Sequence, residues 1–181
     1  MKIAYCGYDF FSAALRALLE DGQDVYRVFT VPCDNRVDHN QYIYDLCREY
    51  KLPVSEDRID ENLINQLQEE GCELLISAAY YYKIPDLSAT SIKGINIHPT
   101  LLPEGRGVMP LPWTILNNLK QSGITIHKLT ENFDAGDILR QQSFPVTDHD
   151  NLESLSAKLQ MLAKEGLRDV MRDFDRYWRH A

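Results

Sequence analysis

Glu73-Leu74-Leu75-Ile76-Ser77-Ala78-Ala79 is a short, nearly continuous apolar run, the pattern of a strand covered on both faces in a parallel sheet. Gly71 stops a helical pattern, from about Glu61 to Glu70, just before it. Further upstream, an extended piece at Leu52-Pro53-Val54 follows a helical segment from about Tyr42 to Tyr50. At the N-terminus, residues 2–6 and Val25 to Val31 form two hydrophobic runs, separated by helical spacing over Phe11 to Leu19 and the turn Asp21-Gly22. Downstream, Gly94 to Ile97 reads as another strand. Strands and helices that alternate in this way imply an α/β fold, a mostly parallel sheet with helices on both faces.

The last third changes character. Gly123 to Leu129 and Ile138 to Phe144 are strand candidates joined by the polar loop Thr130 to Gly136, which fits a hairpin-like antiparallel edge. Leu152, Leu155, Leu159, Leu162, Leu167 and Val170 then keep approximate helical spacing. They predict one long helix over about 151–178, with Asp150 as its N-cap and Gly166 as a candidate break. A single domain over residues 1–181 is expected.

Composition narrows the function. With 44% hydrophobic and 25% charged residues in 181, the chain is globular rather than disordered or fibrous. No apolar run approaches the ~18 residues that a membrane-spanning helix needs. The N-terminus reaches Gly7 before any long apolar stretch forms, so the expected location is the cytoplasm, with no membrane partner. Nineteen Lys and Arg against 27 Asp and Glu leave a net charge of −8, which disfavours a nucleic-acid partner. Cys6, Cys33, Cys47 and Cys72 form no C-x-x-C pair and read as thiols. Nothing in the sequence specifies an oligomeric state.

The chemistry-bearing segment is Gly94-Ile95-Asn96-Ile97-His98-Pro99-Thr100-Leu101-Leu102-Pro103, followed by Glu104-Gly105-Arg106-Gly107. Side chains i and i+2 of a strand share a face, so Asn96 and His98 point one way while Ile95 and Ile97 fill the core opposite. Pro99 ends the ladder there, at the carboxyl end where open α/β sheets hold ligands. A hydrogen-bonded Asn-His pair without a catalytic task would leave the same trace. The dinucleotide fingerprint G-x-G-x-x-G fails, because only Gly7 follows the first strand, and this argues against a nicotinamide-dependent oxidoreductase.

The segment resembles the N-x-H-x-[ST]-L-L-P motif of the folate-dependent formyltransferases, the family of the methionyl-tRNA, glycinamide ribonucleotide and sugar N-formyltransferases. The likeness continues through Arg106-Gly107-x-x-Pro110, Gly123-Ile-Thr-Ile-His and Phe133-Asp134-Ala-Gly136-Asp137-Ile138-Leu139, and it includes Tyr5-Cys6-Gly7, Val28-Phe29-Thr30 and Lys51-Leu52-Pro53-Val54. It spans about residues 1–150. The resemblance implies a Rossmann-like formyltransferase fold and 10-formyltetrahydrofolate as co-substrate, with no metal. It makes Asn96, His98 and Asp134 the catalytic trio, with Asp137 as the rival of Asp134. Asn96 would donate to the oxyanion of a tetrahedral intermediate, and His98 would move the proton. Whether His98 or a relayed water accepts that proton stays open.

The resemblance also points to Tyr82, Lys83, Ile84, Thr130, Asn132 and Phe133 around the folate, and to Tyr8, Tyr80, Tyr81 and Arg106 on the acceptor side. His127 reads as a partly buried strand histidine and Trp113 as a packing residue. The chain stops about thirty residues after its last strand, without the basic C-terminal domain of the tRNA-directed members, so a tRNA substrate is not expected. In place of the Gly-Ser-Asn phosphate loop of the ribonucleotide members stands Gly7-Tyr8-Asp9-Phe10-Phe11. The expected acceptor is a small-molecule amine, foremost a nucleotide-linked amino sugar. Glycinamide ribonucleotide or another small amine is the alternative, as is a non-catalytic relative that binds folate or a nucleotide.

Overall fold

The structure is a computed structural model that describes residues 1–36, 38–107 and 110–181. Its centre is a seven-stranded sheet in the order β3-β2-β1-β4-β5-β6-β7. The strands are β1 Lys2–Gly7, β2 Asp24–Phe29, β3 Val54–Ser55, β4 Leu74–Ala78, β5 Lys93–His98, β6 Gln121–Lys128 and β7 Ile138–Pro145. The first five run parallel, and β6 and β7 are antiparallel. The mostly parallel sheet and the antiparallel edge expected from the sequence are therefore both present.

The pleat divides the core. Ile3, Tyr5, Leu74, Ile76, Ile95 and Ile97 face one side, where helices α1 (Ser12–Glu20), α2 (Gln41–Tyr50) and α5 (Leu152–Arg172) cover them. Ala4, Cys6, Phe29 and Leu75 face the other side and pack with Ile64 and Leu67 of α3 (Glu61–Glu69). Both faces are dry, which is why the strand sequences run apolar without alternation.

The C-terminal segment departs from expectation. Two helices form rather than one, α5 and then α6 (Phe174–His180), and the break falls at Asp173, not at Gly166. Gly166 continues the helix because α5 lies close on the sheet: a Cβ there would come within 2.8 Å of the Gln142 amide oxygen and 3.0 Å of Ile124. The N-cap is Asn151, not Asp150. Asn151 accepts from Ser154 N–H at 2.9 Å while the Ser154 hydroxyl accepts from Asn151 N–H at 3.0 Å, a reciprocal capping box. Asp150 instead ties the preceding turn, accepting from Thr147 N–H at 2.8 Å and pairing with Lys158 at 2.7 Å. Asn151→Ala should therefore cost about 1 kcal/mol, read as a lower urea midpoint at unchanged slope, whereas an unchanged midpoint would place the cap elsewhere.

One helix escaped the sequence reading, α4 over Pro110–Leu116. Pro110 and Pro112 obscure it, yet both stand in its first turn, where a missing N–H leaves no helical bond unmade. Trp113 does not pack: it is 57% exposed.

The sheet order creates one crevice. Connections from β1 lead to β2 and β3 on one side, and the connection from β4 leads to β5 on the other, so the loops after β1 and β4 diverge between those two strands. This is the switch point at which open α/β sheets hold ligands. Gly7, last in β1, pairs with Ala78, last in β4.

Candidate active site

Asn96 and His98 leave β5 on the same face, next to this crevice. Asn96 pairs in register with His127 of β6, and His98 with Thr125. Opposed antiparallel residues bring their side chains into contact. The Asn96 Nδ2 lies 3.1 Å from His127 Nε2, and His127 Nδ1 lies 2.9 Å from the Lys128 carbonyl oxygen. A carbonyl only accepts, so Nδ1 carries a proton, and Nε2 is the nitrogen that accepts from Asn96. One amide hydrogen of Asn96 is thereby engaged, and the other is left for a ligand.

The loop after β5 folds back over His98. Thr125 anchors it, donating to the Thr100 carbonyl at 2.7 Å and accepting from Leu102 N–H at 3.0 Å. Thr100 donates to the Glu104 carbonyl at 2.8 Å. Gly105, at φ +68° and tight against Thr100, makes the left-handed turn that no side chain would fit. Its carbonyl oxygen then lies 2.8 Å from His98 Nε2, which holds the proton on that nitrogen and leaves Nδ1 as the basic one.

Asp134 completes the cluster from the loop between β6 and β7. Its Oδ1 lies 3.4 Å from His98 Nδ1 and 3.5 Å from His127 Nε2, and Oδ2 accepts from Gly107 N–H at 3.0 Å. The rival Asp137 points elsewhere, to Lys128 at 3.1 Å. Burial, the largest influence, holds His98 below the ordinary histidine pKa; it outweighs the Gly105 carbonyl and the Asp134 charge, which act upward. Burial alone would raise the Asp134 pKa, but the two histidines beside it, His127 and His98, and the hydrogen bond from Gly107 N–H bring it below the usual carboxylate range. At neutral pH the site thus holds an ionised Asp134 beside a neutral His98, a base whose protonated form has a counter-charge waiting.

Residues 1–171 of the chain match the family model described as formyl transferase. The chain belongs to that family. Among curated formyl transferases it is similar to the methionyl-tRNA formyltransferase of Lactobacillus johnsonii, at 31% identity over 176 residues, which cover 92% of this chain and 55% of that protein. The chain thus spans about half the length of the curated relatives it matches. Among solved structures of the family, the phosphoribosylglycinamide formyltransferase of Streptococcus pneumoniae superposes with a TM-score of 0.81 at 22% identity, covering 96% of this chain and 98% of that one. A sugar 3N-formyl transferase crystallised in the presence of dTDP and 5-N-formyl-THF superposes at 0.74 and 19% identity, covering 95% and 62%. The fold is that of the formyl transferases.

The residues expected around a folate occupy two loops that meet. After β4, Tyr80 and Tyr82 pack edge to face at 5.5 Å, the Tyr80 hydroxyl accepts from Ile59 N–H at 3.2 Å, and Arg58 lies 5.3 Å over the Tyr82 ring. Lys83 extends to 5.9 Å over the ring of Phe133, in the facing loop, where Thr130 donates to the Asn132 carbonyl at 2.9 Å. Ile84 is buried in the core cluster that includes Ile64 and Leu67 of α3. On the acceptor side, Tyr8 and Tyr81 meet at 4.9 Å and Arg106 is exposed on its loop, whereas Tyr80 is bound to the segment before α3. Among the described residues, no group of three or more His, Cys, Asp and Glu is placed to hold a metal ion.

The sequence reading gave His127 no partner in the site; the structure buries it against both Asn96 and Asp134. The signal was parity: in an antiparallel β5–β6 pair, the histidine of Gly123-Ile-Thr-Ile-His falls on the face of Asn96 once the register is known.

Proposed function

We propose that this chain transfers a formyl group from 10-formyltetrahydrofolate to the primary amine of a small acceptor, foremost a nucleotide-linked amino sugar. The observation that carries the reading is the cluster at the carboxyl end of β5 in which Asp134 lies beside His98 and His127, and His127 in turn contacts Asn96, in a chain of the formyl transferase family. The donor supplies an activated formyl carbon. The free amide hydrogen of Asn96 takes the oxyanion that forms when the acceptor nitrogen bonds to that carbon. His98 accepts, through Nδ1, the proton shed by that nitrogen, and Asp134 stabilises the resulting imidazolium. The carbon–nitrogen bond to the folate then breaks and the proton passes to the departing nitrogen, so charge and atoms balance. Tyr82, Lys83 and Phe133 supply aromatic and cationic surface suited to a flat heterocycle, with Thr130, Asn132 and the Ile84 backbone beside them. Arg106 supplies a cation toward an anionic part of the acceptor.

The test is an assay with 10-formyltetrahydrofolate against methionyl-tRNA, glycinamide ribonucleotide and nucleotide-linked amino sugars. Turnover with an amino sugar supports the reading. The net charge of −8 weighs against tRNA, while the curated relatives weigh toward it, so methionyl-tRNA as the best acceptor would overturn the small-acceptor reading.

The depressed His98 pKa gives a further expectation. By NMR, the His98 ring should titrate below the ordinary value of about 6.5. The unfolded chain takes up that proton at higher pH than the folded one, so His98 adds stability above about pH 6.5 that is lost as the pH falls through the window between the two pKa values. Asp134→Asn removes an upward influence and should move the midpoint lower still; an upward move would exclude Asp134 as the counter-charge.

A further inference from the structure

The β1–β4 crevice carries a feature that the formyl-transfer chemistry leaves unused. In the turn after β1, which would have to cradle a phosphate, three backbone amides are already engaged. Asp9 N–H donates to the His39 carbonyl at 2.9 Å, Phe11 N–H to the Tyr8 carbonyl at 3.3 Å, and Ser12 N–H to the Asp9 carbonyl. The Asp9 carboxylate is itself buried and accepts from the N–H groups of Tyr42 and Ile43, both at 3.0 Å, so it fills the start of α2 from within. An anion at this turn would find the Asp9, Phe11 and Ser12 amides taken and would face the buried Asp9 carboxylate.

In front of that closed turn stands an aromatic lip. Tyr8 stacks on Phe10 at 6.2 Å and meets Tyr81 at 4.9 Å with the rings tilted by 51°, and Tyr81 is 48% exposed. Asp38 stands near both tyrosines: after burial as the main cause, its carboxylate raises the pKa of the two hydroxyls. Ring faces that accept C–H groups, two phenol hydroxyls and a carboxylate make a surface suited to an uncharged ring bearing hydroxyls.

We infer that Tyr8, Tyr81 and Asp38 form the acceptor subsite, that it holds the hydroxyl-bearing sugar ring carrying the reacting amine, and that the turn after β1 rejects a phosphate monoester. The inference rests on the formyl-transfer reading and deepens it. Asp9 and Asp38 act here as specificity determinants, the first by occupying donors of the turn, the second by accepting from sugar hydroxyls.

The experiment is a binding titration on the chain saturated with 5-formyltetrahydrofolate. A dTDP-linked amino hexose and glycinamide ribonucleotide serve as probes, against the unmodified chain, Asp38→Asn and Tyr81→Phe. Both substitutions are conservative and partly exposed, and thermal melts check their folding. The amino hexose should bind the unmodified chain at least tenfold more tightly than the ribonucleotide. Each variant should weaken amino-hexose binding about tenfold, while affinity for 5-formyltetrahydrofolate stays within about twofold. Amino-hexose affinity unchanged in both variants, or ribonucleotide binding as tight as that of the amino hexose, would overturn the inference. So would binding of 5-formyltetrahydrofolate with neither probe bound, and that result would leave the formyl-transfer reading intact. Failure to bind 5-formyltetrahydrofolate at all would strike the reading itself.

Discussion

Asn96→Ala is expected to lower kcat by about 10²–10³, the usual cost of losing one oxyanion donor, with little change in folate affinity. The transition state needs a donor that is neutral at every pH and already oriented, and the His127 Nε2 at 3.1 Å supplies the orientation. Removing the amide leaves both the developing charge and the His127 nitrogen without their partner. A chemically gentler change separates the two roles: His127→Gln keeps a group able to accept from Asn96 and should cost less than His127→Ala. Single-turnover rates on saturated enzyme isolate the chemical step. Full turnover in Asn96→Ala would remove Asn96 from the mechanism.

The second large effect falls on stability, and through it on the crevice. Gly7→Ala would drive its Cβ into the carbonyl of Ala78, backbone against backbone, so no rotamer change relieves the clash. Strands β1 and β4 must part at their carboxyl ends, where the loops bearing Tyr8 and Ala79 to Tyr82 begin. Overpacking of this kind costs about 1–3 kcal/mol, which for a domain of this size lowers Tm by roughly 2–12 °C. Thermal unfolding followed by circular dichroism measures it. A variant as stable as the parent would show that the close approach at Gly7 is not required.

Much of this molecule is legible along the chain. The run Glu73 to Ala79 reads as a strand buried on both faces because its neighbours on both faces are apolar, and the structure places Leu74–Ala78 there, fully buried. Gly71, at φ +79°, ends the preceding helix as its residue type demands. The shared face of Asn96 and His98 follows from the two-residue repeat of any strand. These readings depend on interactions between residues close in sequence, which is why they survive in one dimension.

What failed is informative in the same terms. Asp150 and Asn151 are both good caps, and their neighbours Thr147 and Ser154, which decide between them, compete on equal footing in the sequence. The break at Asp173 rather than Gly166 depends on how closely α5 approaches β6 and β7, and periodicity carries no information about that distance. The preference for Asp134 over Asp137 came from resemblance alone; in the molecule Asp134, at φ +51°, turns its carboxylate toward two histidines and the Gly107 amide, while Asp137 pairs with Lys128.

The amino-acid sequence by itself determined the α/β class, the alternation of strands and helices through β5, the antiparallel edge, and the shared face of Asn96 and His98 at the carboxyl end of β5. Only the tertiary structure decided that His127 holds Asn96, that the Gly105 carbonyl fixes which nitrogen of His98 is basic, and that the Asp9 carboxylate is spent on the amides of Tyr42 and Ile43. Each of these is a contact between segments separated by loops, set by strand register and by where a turn returns its backbone. Side-chain period and residue type act within a few residues; register and loop return act over tens, and only the packed sheet brings those distant atoms to hydrogen-bonding distance.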